Sequence, residues 1–219
     1  MPTQLLNDDG MASMATALLS SHHAFRRDLA RFAEALRGDL SRAGELAREW
    51  KHFRETLHHH HLMEDSGIFP DLRAKHSGLA AVLDLLDDQH KDIEPMLARG
   101  DGLFSGLRAN AAGASTLIAE LTAHLSEHFD AEEPAITPHL RSAKEFPLPP
   151  SEEVVAVYAE GFAWSCSGLA DSVQKLLFAM LPPALAARIP AALAAFDERC
   201  LHTWGKKHTM RSTTSLPGV

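Results

Sequence analysis

Apolar side chains recur along the first two thirds of the chain at alternating steps of four and three residues. This spacing keeps one stripe of a helix turned toward its neighbours. The first stripe is Leu18, His22, Phe25, Leu29, Phe32 and Leu36, and the second is Leu46, Trp50, Phe53, Leu57, His60 and Glu64. The third is Leu79, Leu83, Leu86, His90, Ile93 and Leu97, and the fourth is Ile118, Leu121, Leu125, His128 and Glu132. These stripes predict helices over about 12–36, 42–64, 79–94 and 115–133. The second helix has a continuation toward Lys75 that Gly67 and Pro70 disturb, Pro95 ends or kinks the third, and Pro134 disturbs the fourth. Residues 100–113 read as a glycine-containing connection, and 144–150, with three prolines, as a linker.

Beyond the linker, 151–181 predicts a long apolar helix. After Pro182 and Pro183 a last helix covers 184–201, with fraying from about Gly205. Val154, Val155, Tyr158, Phe162 and Trp164 make the long segment apolar round more than one face, as in a helix buried twice. The expected fold is all-α. An antiparallel up-down four-helix bundle occupies 1–145, and a helical extension over 146–219 packs on it or forms a homodimer interface.

Composition agrees with this reading. Hydrophobic residues are 45% of 219, aromatics are sparse, and runs of valine or isoleucine are absent. The net charge of −8, with no cluster of lysine and arginine, argues against a nucleic-acid partner. No run of about 18 apolar residues is present for a membrane span. The opening MPTQLLNDDG lacks the cationic and apolar regions of an export signal. Cys166 and Cys200 are then expected as reduced thiols in a cytoplasm, and the pair Arg26–Arg27 as a solvated face.

Histidine changes the picture. The chain has 14, and seven of them fall between His52 and His90. Every stripe carries one histidine and two stripes also carry a glutamate, so His22, His60, Glu64, His90, His128 and Glu132 all face inward. The seams select His22 over His23, and His60 over His58, His59 and His61. Burying unpaired carboxylates together costs several kcal/mol, a cost that cations among them reverse. Positions i and i+4 share a helical face. His60 with Glu64, and His128 with Glu132, can therefore each offer a nitrogen and an oxygen to one small volume. The segment HHLMEDSGIFPDL from His60 also matches HFDAEEPAITPHL from His128. They share His at offset zero, Glu at four, an acid at five, Ile at eight, Pro at ten and Leu at twelve. Two similar half-sites suit a dinuclear centre. Ferritin-like Glu-x-x-His pairs do occur, as Glu49/His52 and Glu55/His58, but both lie on one helix and cannot supply opposite halves.

These residues resemble the haemerythrin-like (HHE cation-binding) family. Its pattern is a first-helix histidine, an HxxxE pair, a lone histidine and a second HxxxE pair. Here those are His22, His60 with Glu64, His90, and His128 with Glu132, and Phe69–Pro70 also fits. The resemblance covers about 18–140. It implies two non-haem iron ions, oxo- or hydroxo- and carboxylate-bridged, with a position open to dioxygen, nitric oxide or peroxide. Binding or sensing such a ligand is the leading expectation, ahead of a di-iron oxidoreductase and of iron handling. Oxygen-carrying haemerythrins have an HxxxH pair in the third helix, and Leu86 stands at that place here. They also place a carboxylate five residues after the last histidine. Here Glu132 stands at four and Glu133 at five. Pro134 disfavours helical geometry at Glu133, so Glu132 is the expected bridge, and His124 is a substitute ligand to weigh against a surface role.

Overall fold

The computed structural model describes residues 4–149 and 151–205, and the described residues are helical with no extended strand. Helix α1 spans Met14–Ala35 and α2 spans Ala43–Met63. A π-turn, Glu64–Ile68, links α2 to α3, Phe69–Lys75. A single 3₁₀ turn, Ser77–Leu79, leads into α4, Ala80–Ser105, and α5 runs over Leu107–Leu140. Then come α6, Glu152–Cys166, α7, Asp171–Phe178, α8, Pro183–Ala186, and α9, Ile189–Trp204.

The four stripes are buried along nearly all of their length, with Leu79 and His60 half-buried. Phe25, Leu29, Phe32, Trp50, Phe53, Leu57, Leu83, Leu86, Ile93, Leu97, Leu121 and Leu125 are each at most 3% exposed. Neither Pro95 nor Pro134 ends its helix. α4 passes through Pro95 and α5 through Pro134 and Pro138. A mid-helix proline costs about 3 kcal/mol. Buried apolar side chains on both sides of each one (Ile93 and Leu97; Phe129 and Ile136) outweigh that cost. For the same reason 100–113 is not a loop: only Gly106 separates α4 from α5. Gly100 sits where α4 meets the Trp50 indole, and a β-carbon there would lie 1.9 Å from Trp50 Cζ2.

The chain divides into two compact units whose limits fall inside α1 and α5: Phe25–Ala135, and the residues up to Ala24 together with those from Ile136. In the first unit, Phe32, Trp50, Phe53 and Phe104 form an aromatic cluster, with Trp50 and Phe104 stacked at 4.6 Å. The second unit has its own core. Leu5, Ala12 and Leu19 pack with Val155, Phe162, Cys166, Val173, Leu177, Leu185 and Ile189. The long apolar segment is not one helix. It breaks after Cys166, where Gly168 takes φ 97°, a conformation open mainly to glycine, and α7 starts at Asp171. Folding α6 back toward α8 and α9 is what buries more than one of its faces. Gly205 closes α9 in the left-handed conformation; the fraying expected beyond it concerns 206–219, outside the described residues. No helix among the described residues is long and apolar enough to cross a membrane.

Candidate metal centre

The four long N-terminal helices bring buried donors together in two groups that share one carboxylate. His61, Glu64, His90 and His128 form the first, all buried, each offering a ligand atom within 4.8 Å of the others. His22, His60, Glu64 and Glu132 form the second on the same criterion. His22 lies one turn before Phe25 on the uninterrupted helix α1, so the helix itself carries it to this place. Each group draws on separate stretches of chain. α2 and the π-turn supply His60, His61 and Glu64, α4 supplies His90, and α5 supplies His128 and Glu132.

Glu64 is placed as a bridge. Its Oε1 is 3.0 Å from His60 Nε2, and its Oε2 is 3.6 Å from His90 Nε2. His128 Nε2 faces Glu132 Oε2 at 3.5 Å and His90 Nε2 at 3.2 Å. The outer nitrogens have partners too. His90 Nδ1 lies 2.8 Å from Asp65 Oδ1, and His128 Nδ1 lies 3.0 Å from Gln89 Oε1. The Nε2 atoms of both rings are thereby left facing inward.

Electrostatics sets the chemical problem of this pocket. Burial holds the Glu64 carboxyl well above the usual carboxylate range, and the adjacent Glu132 raises it further through its charge and a hydrogen bond. Two carboxylates in a dry interior do not both ionise without a compensating charge. An imidazole acting as a ligand supplies a lone pair and no positive charge. The donor set therefore fits divalent or trivalent cations: nitrogen and oxygen ligands, one carboxylate reaching both groups, and a local charge deficit that cations would fill.

All six side chains singled out by the seams fall within the two groups. His61 is an addition, since the seams select His60 over it. Leu57, His60, His61 and Glu64 stand at i, i+3, i+4 and i+7, the wider apolar stripe of a globular helix, and this spacing was the available signal. His61 is 4% exposed and stacks on His90 with ring centroids 3.9 Å apart. It thus stands beside His90, while Leu86 fills a fully buried core position. His124 belongs to neither group. Its Nε2 approaches the Gln89 carbonyl at 3.4 Å. Glu133 is buried and helical despite Pro134, but it is turned away: its Oε1 accepts from Arg26 Nη1 at 2.7 Å. The arginine pair is not a solvated face. Arg27 is 2% exposed and pairs with Asp28, while Arg26 lies 4.8 Å over the Phe129 ring.

The family model described as the Hemerythrin HHE cation binding domain matches residues 13–145. The chain belongs to this family. The match runs from the residue before α1 to just past the end of α5, so every haemerythrin-type donor described above lies inside it. No curated protein and no solved structure matches the chain. What the haemerythrin family shares is cation binding by an HHE domain, and the two histidine–glutamate groups are the part of this chain suited to it.

Proposed function

We propose that α1, α2, α4 and α5 form an antiparallel up-down bundle holding two non-haem iron ions, and that the centre reversibly binds or senses a small ligand such as dioxygen, nitric oxide or peroxide. Its ligands are His22, His60, Glu64, His90, His128 and Glu132, joined by His61. The haemerythrin domain corresponds to 1–145, and 146–219 is an extension to it. The observation that carries this reading is Glu64, with one oxygen toward His60 and the other toward His90. A bridging carboxylate is what a dinuclear centre needs and a lone tetrahedral ion does not. When bound, the ions supply Lewis acidity and redox capacity, while the chain supplies their position and a dry surrounding.

His61 favours binding over turnover. Leu86 leaves one nitrogen fewer on α4 than in an oxygen carrier, and His61, stacked beside His90, offers a nitrogen in its place. The described site also holds no acid or base placed to serve an organic substrate apart from the ligands themselves.

Metal analysis of the purified protein tests the assignment. About two iron atoms per chain are expected, largely lost in His60→Ala and in Glu132→Ala. Mixing the reduced protein with oxygen then separates the functions. A stable, reversible visible band supports binding. Rapid irreversible oxidation or sustained peroxide turnover would move the reading to an oxidoreductase.

A further inference from the structure

The His90 ring is restrained by residues from one short stretch of chain. His61 stacks on it at 3.9 Å with an interplanar angle of 15°, and Phe69 stacks at 5.6 Å and 16°. Two near-parallel neighbours fix the plane of the ring. They leave one freedom, a half-turn about the Cβ–Cγ bond, which returns the ring to the same plane with its nitrogens and carbons exchanged. Packing alone does not choose between the two orientations, because both have nearly the same shape.

Asp65 does choose. Its Oδ1 lies 2.8 Å from His90 Nδ1. A carboxylate only accepts, so Nδ1 carries the proton and Nε2 keeps its lone pair. That Nε2 lies 3.6 Å from Glu64 Oε2 and 3.2 Å from His128 Nε2, inside the first donor group. We propose that Asp65 is a positioning residue, which sets the orientation and the tautomer of His90 and so aims its bare nitrogen at the metal. The proposal rests on the metal-centre reading above.

Local backbone geometry brings Asp65 there. Asp65 follows Glu64 directly, and on a regular α-helix consecutive side chains point about 100° apart. The chain widens here into a π-turn, with the Phe69 N–H reaching back five residues to the Glu64 carbonyl. Glu64 and Asp65 then both engage His90, through different nitrogens. The repeat provides a comparison. Glu133 has the same offset from His128 as Asp65 has from His60, yet it sits on unbroken α-helix and takes Arg26 as its partner. Gln89 beside His128 is a weaker chooser, because a carboxamide can either donate or accept.

The test combines nitrogen-15 NMR of the metal-free protein at alkaline pH with cobalt(II) titration. Wild type is expected to show His90 as the Nδ1–H tautomer alone. Asp65→Ala is expected to mix the tautomers and to weaken cobalt binding by about 10–100-fold, and Asp65→Glu to recover most of both. Asp65 is 43% exposed, so the alanine variant removes no core contact, and circular dichroism checks its fold. A wild-type proton on Nε2 overturns the proposal without any variant. So does an Asp65→Ala protein with unchanged tautomer and unchanged cobalt affinity. If wild type binds no cobalt while the tautomer still responds to Asp65, the metal reading fails and the positioning role stands.

Discussion

Glu64 carries the sharpest conflict between stability and function at the scale of a single residue. Burial and Glu132 raise its folded value above that of the unfolded chain. A carboxyl raised in this way favours the metal-free fold below its unfolded value, and that stability is lost as pH rises through the folded one. The metal-free protein is therefore expected to melt at lower temperature as pH rises across this window, and bound cations should reverse the trend. Glu64→Gln removes the titration. Metal-free Glu64→Gln should be more stable than metal-free wild type at neutral pH, by on the order of 1–3 kcal/mol, while it loses bound metal. Thermal melts of both proteins across pH, with and without chelator, check this. A metal-free glutamine variant no more stable than wild type would contradict the argument. At this scale the sequence was informative because burying a carboxylate is costly: Glu64 and Glu132 on apolar stripes needed an explanation in cations. It was less informative about His61, since a stripe one residue wide cannot hold both members of an adjacent pair.

Two helices show what periodicity alone leaves undecided at the scale of elements. Proline and glycine mark disturbances at 95, 100–113 and 134, yet α4 runs through Pro95, α5 runs through Pro134, and only Gly106 interrupts helix between 100 and 113. Local cost is legible in sequence, but the tertiary burial that outweighs it is not. Gly100 is the clearest case. In a solvent-facing helix, alanine would be better than glycine by about 1 kcal/mol. Here the added methyl would overlap Trp50, whose indole is stacked on Phe104 and held by its N–H donating to Asp101 at 3.0 Å. To make room, the ring would have to give up that stacking or that hydrogen bond. Gly100→Ala is expected to destabilise by about 1–3 kcal/mol net of the helix gain, read as a lower urea midpoint and a perturbed tryptophan emission. The π-turn after α2 is the opposite case. Gly67 and Pro70 signalled a disturbance there, and one exists, but its form depends on Glu64 and Asp65 both meeting His90.

The limits of the metal-binding family and of a stable core differ at the scale of the whole molecule. The family match ends at residue 145, and the linker composition pointed to the same place. Yet Leu5, Ala12 and Leu19, all before the end of the match, are buried in one core with Val155, Phe162, Val173, Leu177 and Leu185 from beyond it. The sequence could show that the C-terminal helices are too apolar to stand alone. It could not show that part of their partner surface is the start of the chain, because no pattern links stretches more than a hundred residues apart. A chain stopped at 145 would leave Leu5 and Leu19, each now fully buried, without most of their neighbours. Exposing a buried leucine costs about 1.5–3 kcal/mol, so two of them approach the margin by which a domain is stable. The truncated chain is expected to bind a hydrophobic dye, to elute as soluble aggregate on size exclusion, and to melt well below the full chain, although every proposed ligand is retained. Replacing Leu5 and Leu19 with serine in that truncated chain should restore solubility if the exposed leucines are the cause, and should leave it aggregated if the loss of α6–α9 unfolds the donor helices as well.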